Sequence, residues 1–429
     1  MTHRPPRVRL SLTLPIALAV CGPWAAAQPL PDAGQLLREQ VPRPERTAPE
    51  LPRLQVPEPA PKPAATAGGV RFRVDTVVLQ GHGAFTTDAL LALVADLPGE
   101  QRTLADAEEA ARRITAHYRA RGYPVARAYV PAQDVTDGRL RIEVLEGRID
   151  RTVLDNRSRL DDAAVSMDRE GLRGGDTIAS APIDRALQIL LDTPGVGGAR
   201  ATLQPGDLVG TSRLDIALDP SPLVRAGVVL DNFGSEHTGR VQRHALLALD
   251  SPLGRGDRWS LFGSNSGPGF RFVQFKADLP IGSDGTRATV VHDVMDYRLG
   301  AAFASLQASG GSQGTGLRVR HPWLLTRLSR VDLGLEAERR SLQDRKAVDG
   351  TLRDRSLVKL AAVVDGRWTD LAQDRVTTAR VKLVSGRLRI HDAADAAQDA
   401  AAPRAQGRFA LVDWDLSHLH RVAPAAQVY

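Results

Sequence analysis

The groups in these 429 residues that could carry chemistry include ten histidines, one cysteine and several adjacent acidic pairs. His237, His292, His321, His418 and His420 are scattered through the carboxy-terminal half, and His418-Leu419-His420 would set two imidazoles on one face of a strand. A metal site needs three or four ligands, and no third ligand stands at a suitable spacing, so these read as surface histidines. Asp161-Asp162 and Glu108-Glu109 fall on expected helix surfaces, where hydrated charge is the default. No nucleophile motif of the Gly-x-Ser-x-Gly type is identified along the chain. No Gly-rich phosphate loop with its lysine occurs. The residue types point away from an enzyme and from any resident cofactor or metal.

Whatever the chain does must then rest on its architecture. Arg4, Arg7 and Arg9, the apolar stretch Leu10 to Val20, and Ala25-Ala26-Ala27 before Gln28 read as a signal peptide over residues 1–27, which implies export. Cys21 is the only cysteine and would leave with that segment, so disulfides and thiolate metal sites are not expected. Leu18-Ala19-Val20-Cys21 also resembles a lipoprotein signal, but Val20 is bulky for that role. Loss of the three arginines takes 56 basic residues to 53 against 50 acidic, a charge of +3. A mixed, solvated surface explains that better than nucleic acid, which is not expected as a partner. Beyond the signal no apolar run is long enough for a helical membrane span. A β-barrel escapes that test, because its strands are apolar only at alternate positions.

Residues 28–41 hold a short amphipathic pattern, Ala33 to Glu39, and residues 42–69 are dense in proline from Pro42 to Pro63, which reads as a semi-rigid linker with no core of its own. Residues 70–147 then follow the order β-α-α-β-β. Phe72 to Leu79 is β-rich, Thr87 to Val94 has helical spacing, and Leu104 to Arg121 is a longer helix with Leu104, Ala107, Ala111, Ile114 and Tyr118 on one face and Gly122 as its stop. Ala126 to Val130 and Leu140 to Leu145 close the unit. The same order repeats over residues 148–220: a strand at Arg151 to Leu154, helices at Asp161 to Gly171 and Pro182 to Asp192, and strands at Ala199 to Leu203 and Arg213 to Leu218. An internal duplication is the economical explanation.

From residue 223 to 429 helical periodicity disappears. Val273, Phe275, Ala277 and Leu279 alternate with Gln274, Lys276 and Asp278, and Val331, Leu333, Leu335 and Ala337 alternate with Asp332, Gly334, Glu336 and Glu338. Val381 and Leu383, then Val412 and Trp414, show the same period of two. Turns such as Ser283-Asp284-Gly285 and Asp349-Gly350 separate about eleven or twelve such strands. Charge in mid-strand, an uninterrupted meander and the export signal favour a membrane barrel over a soluble sandwich.

Three stretches carry a family resemblance. Phe72-Arg73-Val74 through Gly122-Tyr123-Pro124 to Leu145-Glu146-Gly147-Arg148-Ile149 resembles the first POTRA domain of hemolysin and filamentous-adhesin secretion proteins, the outer-membrane transporters of two-partner secretion. Leu230 to Arg240, with Asp231, Asn232, Gly234 and Gly239, and then Pro252 to Asp257, with Gly256 and Asp257, are similar to that family's first barrel hairpin. Leu30 to Leu37 is similar to its mature start, which forms a plug helix in the pore.

The resemblance implies a plug helix at 28–41, two periplasmic POTRA domains at 70–147 and 148–220, and a transmembrane antiparallel β-barrel from 223. It also implies an unfolded exoprotein, of adhesin or hemolysin type, that docks its amino-terminal secretion domain on the POTRA domains and threads the barrel. Outer-membrane lipid and the barrel assembly machinery are the other expected partners. Free POTRA sheet edges would suit extended cargo, and Tyr123, Arg127 and Tyr129 are the expected contacts beside the helix Leu104 to Arg121. The alternative is an outer-membrane protein assembly factor. The family barrel has sixteen strands and a Val-Arg-Gly-Tyr motif on an inward loop. Residues 223–429 supply fewer strands and no such motif, so a record stopping before that loop is expected, with a degenerate gene product as the alternative.

Overall fold

The structure, a computed structural model, describes residues 32–33, 36, 54–55, 71–165, 171–402, 404–423 and 426–428. The expected signal peptide and most of the expected plug helix and linker lie outside the described residues.

Within the proline-rich stretch one short strand is described, β1 (Leu54–Gln55). Phe72–Val74 (β2) pairs with Gly99–Arg102 (β4), and Thr76–Gln80 (β3) belongs to a separate three-stranded sheet with Arg127–Tyr129 (β5) and Arg139–Leu145 (β6). The run Phe72 to Leu79, read as one strand, is therefore two strands broken at Asp75. Helices α1 (Thr87–Leu91) and α2 (Leu104–Ala120) cover one face of the larger sheet.

Helix α2 starts where Thr103 and Asp106 form a reciprocal capping box. It ends at Gly122, whose φ of 89° lets Tyr123 N–H reach back to Tyr118 O at 3.1 Å. Its buried stripe is Ala107, Ala110, Ala111, Ile114 and Tyr118, packed on Leu140, Ile142 and Val144. Leu104, expected on that stripe, is 48% exposed because it stands in the first turn, beyond the sheet.

The second unit contains β7 (Arg148–Asn156), α3 (Ser180–Leu191), β8 (Val196–Pro205) and β9 (Thr211–Pro220). Its strand order repeats that of the first. In each unit the first strand lies parallel to the last, and the middle strand antiparallel to the last on its other side. Leu187 and Leu190 of α3 are buried against Ala201, Leu203, Leu214, Ile216 and Leu218. The expected helix from Asp161 to Gly171 is, among the described residues, only a single 3-10 turn at Asp162–Ala164. Leu160, Val165 and Leu172 still reach the core.

One side chain fastens the first unit. Glu146, just after β6, accepts Gly83 N–H at 2.6 Å, Ala84 N–H at 2.7 Å and Tyr118 O–H at 2.8 Å. It thereby ties the β3–α1 loop and the end of α2 to the junction between the units.

The rest of the described chain is an antiparallel meander of eleven strands, each paired only with its sequence neighbours. They are β10 (Val224–Asp231), β11 (Gln242–Asp250), β12 (Arg258–Asn265), β13 (Phe270–Ile281), β14 (Thr286–Arg298) and β15 (Ala308–Leu325). After them come β16 (Ser329–Lys346), β17 (Leu352–Asp370), β18 (Arg375–Ile390), β19 (Gly407–Ala423) and β20 (Ala426–Val428). A helix, α4 (Ala393–Ala401), interrupts the turn after β18.

Burial works to raise the Glu146 carboxyl, but its three hydrogen bonds outweigh burial and hold it below the usual carboxylate range. A depressed folded-state value means the stabilisation is present at neutral pH and is lost as pH falls through that value. Glu146→Ala is expected to destabilise the first unit by about 2–3 kcal/mol at neutral pH, because two backbone N–H groups and a phenol lose a charged acceptor. Thermal unfolding at neutral pH and below the carboxylate range checks this: the gap between wild type and variant should shrink on acidification.

Candidate functional site

The meander has two chemically distinct faces because side chains alternate at every residue. Val273 and Phe275 share one face of β13, and the register Val381↔Trp414 and Leu383↔Val412 puts those four on the same face of β18 and β19. Leu335, Leu383, Val412 and Trp414 are 68%, 53%, 64% and 72% exposed, so this outer face is an uncovered apolar band. The band slips along the sheet. Val228 lies within it on β10, yet the register row running from Val228 across the strands ends on β18 at Arg389, six residues past Leu383. A level band cutting across tilted strands produces that slippage.

The inner face carries paired charge. Arg340 of β16 donates both guanidinium ends to Asp293 of β14, at 2.7 and 2.9 Å, and donates to Ser312 Oγ and Glu338 at 2.9 Å each. Lys359 reaches Glu338 at 2.8 Å, Lys382 reaches Glu336 at 2.5 Å, and Arg380 reaches Asp365 at 2.5 Å. Arg340 can cross β15 because Gly314 leaves room; a Cβ there would lie 2.4 Å from Arg340 Nη2. Gly310-Gly311-Ser312-Gln313-Gly314 does have the letters of a nucleophile elbow, a match the sequence reading missed. It is unbroken strand, however, and its Ser312 is a partner of Arg340.

At the end of the inner face far from the α/β units, the amino-terminal segment is docked. Ala33 and Leu36 are buried against Phe270, Phe272, Met295, Tyr297, Leu299 and Ala308. Asp344 Oδ1 accepts both Ala33 N–H at 3.2 Å and Tyr297 O–H at 2.6 Å. On the same rim, Asp395 of α4 holds Arg355 of β17 through two hydrogen bonds of 2.7 Å.

The opposite end meets the second unit. Asp161 N–H donates to Gly254 O at 2.8 Å, Arg185 donates to Pro322 O at 2.8 Å, and Arg330 pairs with Asp192 at 2.5 Å. A cavity of about 570 Å³ lies along this seam, lined in part by Ile189, Thr193, Arg255, Arg287 and Arg320.

The hairpin residues expected from the sequence divide between the two ends. Asp231 accepts Phe233 N–H and pairs with His244 at 3.1 Å, while Asn232 is exposed. Gly234 donates to Arg240 O and Gly239 donates to Ser235 O, folding the β10–β11 turn at the far rim. Gly256 and the buried Asp257 stand in the β11–β12 turn at the seam. Gly256 has a φ of 77° and faces Thr193, where a Cβ would approach within 2.4 Å. Asp257 accepts Trp259 Nε1–H at 2.6 Å.

Of the expected cargo contacts, Arg127 and Tyr129 share the outer face of β5, with Ala128 buried between them; Tyr129 O–H donates to Glu143. Tyr123 is elsewhere, half-buried in an edge-to-face cluster with Phe85 and Tyr118 at 5.6 Å from each. The sheet edges are also less free than expected. Thr115 Oγ1 takes Ala128 N–H at 2.9 Å and faces Ala128 O, closing the β5 edge. The matching edge of the second unit, β8, is occupied by β1, with Leu54↔Ala201 and Gln55↔Thr202 in parallel register. The segment expected to be only a spacer therefore supplies, in part, a fourth strand to the second unit's sheet.

Known proteins match this arrangement along most of its length. The family model for haemolysin secretion/activation protein ShlB/FhaC/HecB matches residues 210–429, and that for the ShlB-type POTRA domain matches residues 72–147. The heme/hemopexin transporter protein HuxB of Haemophilus influenzae is 26% identical over 396 residues, covering 90% of this chain and 69% of HuxB. The outer membrane transporter CdiB of Escherichia coli is 28% identical over 263 residues, covering 60% of this chain and 42% of CdiB. A solved structure of CdiB from Escherichia coli superposes with a TM-score of 0.67 at 21% identity, covering 85% of this chain and 68% of that one. For CdiB from Acinetobacter baumannii the TM-score is 0.54 at 16% identity, with 83% and 70% covered.

The Arg340 network predicts a specific stability pattern. Asp293→Ala leaves a buried guanidinium without its bidentate partner and is expected to cost about 3 kcal/mol, while adding Arg340→Ala should recover part of that loss. The temperature at which the barrel loses its compact mobility in a gel checks both.

Proposed function

The chain belongs to the haemolysin secretion/activation family of outer-membrane transporters with periplasmic POTRA domains, and from that membership we propose that its POTRA pair receives an unfolded exoprotein and feeds it through the barrel lumen. The observation that carries this reading is the course of the chain's own amino-terminal segment. Residues 33 and 36 lie inside the barrel and residues 54–55 lie as a strand on the second POTRA sheet. Described residues of the amino-terminal part thus touch both stations of the route.

Chemistry supports the order of events. An exoprotein in the periplasm must be recognised unfolded, and main-chain pairing at a sheet edge accepts extended peptide of varied sequence. The β8 edge runs for ten residues, from Val196 to Pro205, and among the described residues β1 pairs with two of them. In the sequence Pro52 and Pro57 flank Leu54–Gln55 and have no N–H to donate to a longer pairing. A longer cargo strand free of proline outcompetes β1. Arg127 and Tyr129, on the outer face of β5, contact the cargo's side chains. The inner wall, with Arg340, Lys359, Lys382 and Arg380 each paired to a carboxylate, holds a passing chain without fixing it to one charge. Folding of the cargo outside draws the transport forward.

Co-expression with an exoprotein from the adjacent gene, followed by measurement of cargo in the medium, tests the reading. Deleting Leu54 and Gln55 should tighten binding of the cargo's amino-terminal domain several-fold, since a competing strand reduces apparent affinity by the fraction of sites it fills. Unchanged affinity, with cargo still secreted, would remove the β8 edge from the route. Absence of secretion by the unaltered protein would contradict the transport reading itself.

A further inference from the structure

The outer face of β16, β18 and β19 carries a cluster of cations that differs from the inner wall. Arg339, Arg387, Arg389 and Arg408 are all exposed, and among the described residues none of their side chains has an ion pair or a hydrogen bond. By register Arg387 stands directly opposite Arg408, with Arg389 two residues further along β18. Arg339 shares the same row through Val358. Like charges directly opposite on neighbouring strands repel, and here no carboxylate offsets them. On the same strands the inner-facing Arg340, Lys382 and Arg380 each have an acidic partner. Asp354 of β17, on the same face by register, makes no ion pair among the described residues.

The depth of this cluster follows from the band beneath it. Along β19 the outward residues after Arg408 are Ala410, Val412, Trp414, Leu416 and then His418. Ten residues of strand at about 3.4 Å each, tilted by about 40°, span about 25 Å, the height of the apolar band of an outer-membrane barrel. The arginines therefore stand at the boundary of that band, at the end remote from the POTRA domains, which is the external leaflet.

From this we infer that Arg339, Arg387, Arg389 and Arg408 form a site for the phosphate groups of a phosphorylated glycolipid in the external leaflet. A guanidinium fork donates to phosphate oxygens in pairs, and one phosphate between Arg387 and Arg408 turns their repulsion into a bridge. The acyl chains of the same molecule lie along Val412, Leu383 and Leu335. The inference needs the barrel's outer-membrane location but is separate from the secretion route.

Native mass spectrometry of the detergent-extracted protein tests it, using bisphosphorylated lipid A, dephosphorylated lipid A and inorganic phosphate as probes. Lipid A should bind, the dephosphorylated form should bind at least tenfold more weakly, and inorganic phosphate should not compete, since the acyl chains supply part of the affinity. The variant Arg387→Gln/Arg389→Gln/Arg408→Gln should lose at least tenfold in binding, whereas lysine at all three positions, which keeps the charge but not the paired donors, should lose less. Equal binding of the two lipid A forms by wild type would overturn the site, and that comparison needs no variant to fold. Equal binding by the glutamine variant, its barrel intact by gel mobility, would overturn it as well. Secretion of cargo, measured in parallel, is expected to continue, so failure of the lipid site and failure of the transport reading remain distinguishable.

Discussion

Hydrocarbon offers no hydrogen bonds, and that single fact organises most of the chain. Each backbone N–H and C=O within the membrane must find its partner in a neighbouring strand. Among the described residues, eleven strands paired only with sequence neighbours meet the requirement everywhere but at the outer edges of β10 and β20, with short connections and no crossover. The same pairing forces side chains to alternate, so every strand presents one face to lipid and one to the interior. The inner face can then hold charge at a depth where the outer face cannot. Arg340 and Asp293, on strands separated by the glycine-rich inner side of β15, show how such charge is kept satisfied.

The periplasmic units face the opposite difficulty. Their sheets are short and have edges in water, where unpaired strand groups invite any extended peptide. The two middle-strand edges are handled differently. In the first unit Thr115 folds onto Ala128 and closes β5, while in the second, among the described residues, β1 covers part of β8 and no other strand pairs with that edge. The duplicated topology thus supplies two edges of unequal accessibility. The seam at Gly254, Pro322 and Arg330 joins the barrel turns to Asp161, Arg185 and Asp192 of the second unit.

Much of this was legible in the sequence. Val381, Leu383, Val412 and Trp414 report the barrel wall because a period of two survives every local irregularity, and Thr103, Asp106 and Gly122 mark the ends of α2 by their chemistry. Other features depend on partners distant in sequence. The strand Gly99–Arg102 contains no apolar alternation and exists because Phe72 and Val74 lie beside it. Leu54–Gln55 is hidden among prolines that signal an extended chain but not its neighbour. Tyr123 follows a helix stop in a position that suggests a groove, yet Phe85 and Tyr118 draw it into a cluster. The Arg340–Asp293 pair spans 47 residues and becomes visible only once the register of β14, β15 and β16 is known.

The central claim is that residues from 223 onward form a membrane wall with lipid on one side and water on the other. Spin labels at Phe275 and Lys276, neighbours on β13 whose side chains leave opposite faces, test it most directly. In reconstituted bilayers the label at 275 should be accessible to oxygen and shielded from a water-soluble relaxant, and the label at 276 should show the reverse. Equal accessibility of both labels to the water-soluble relaxant would contradict the account.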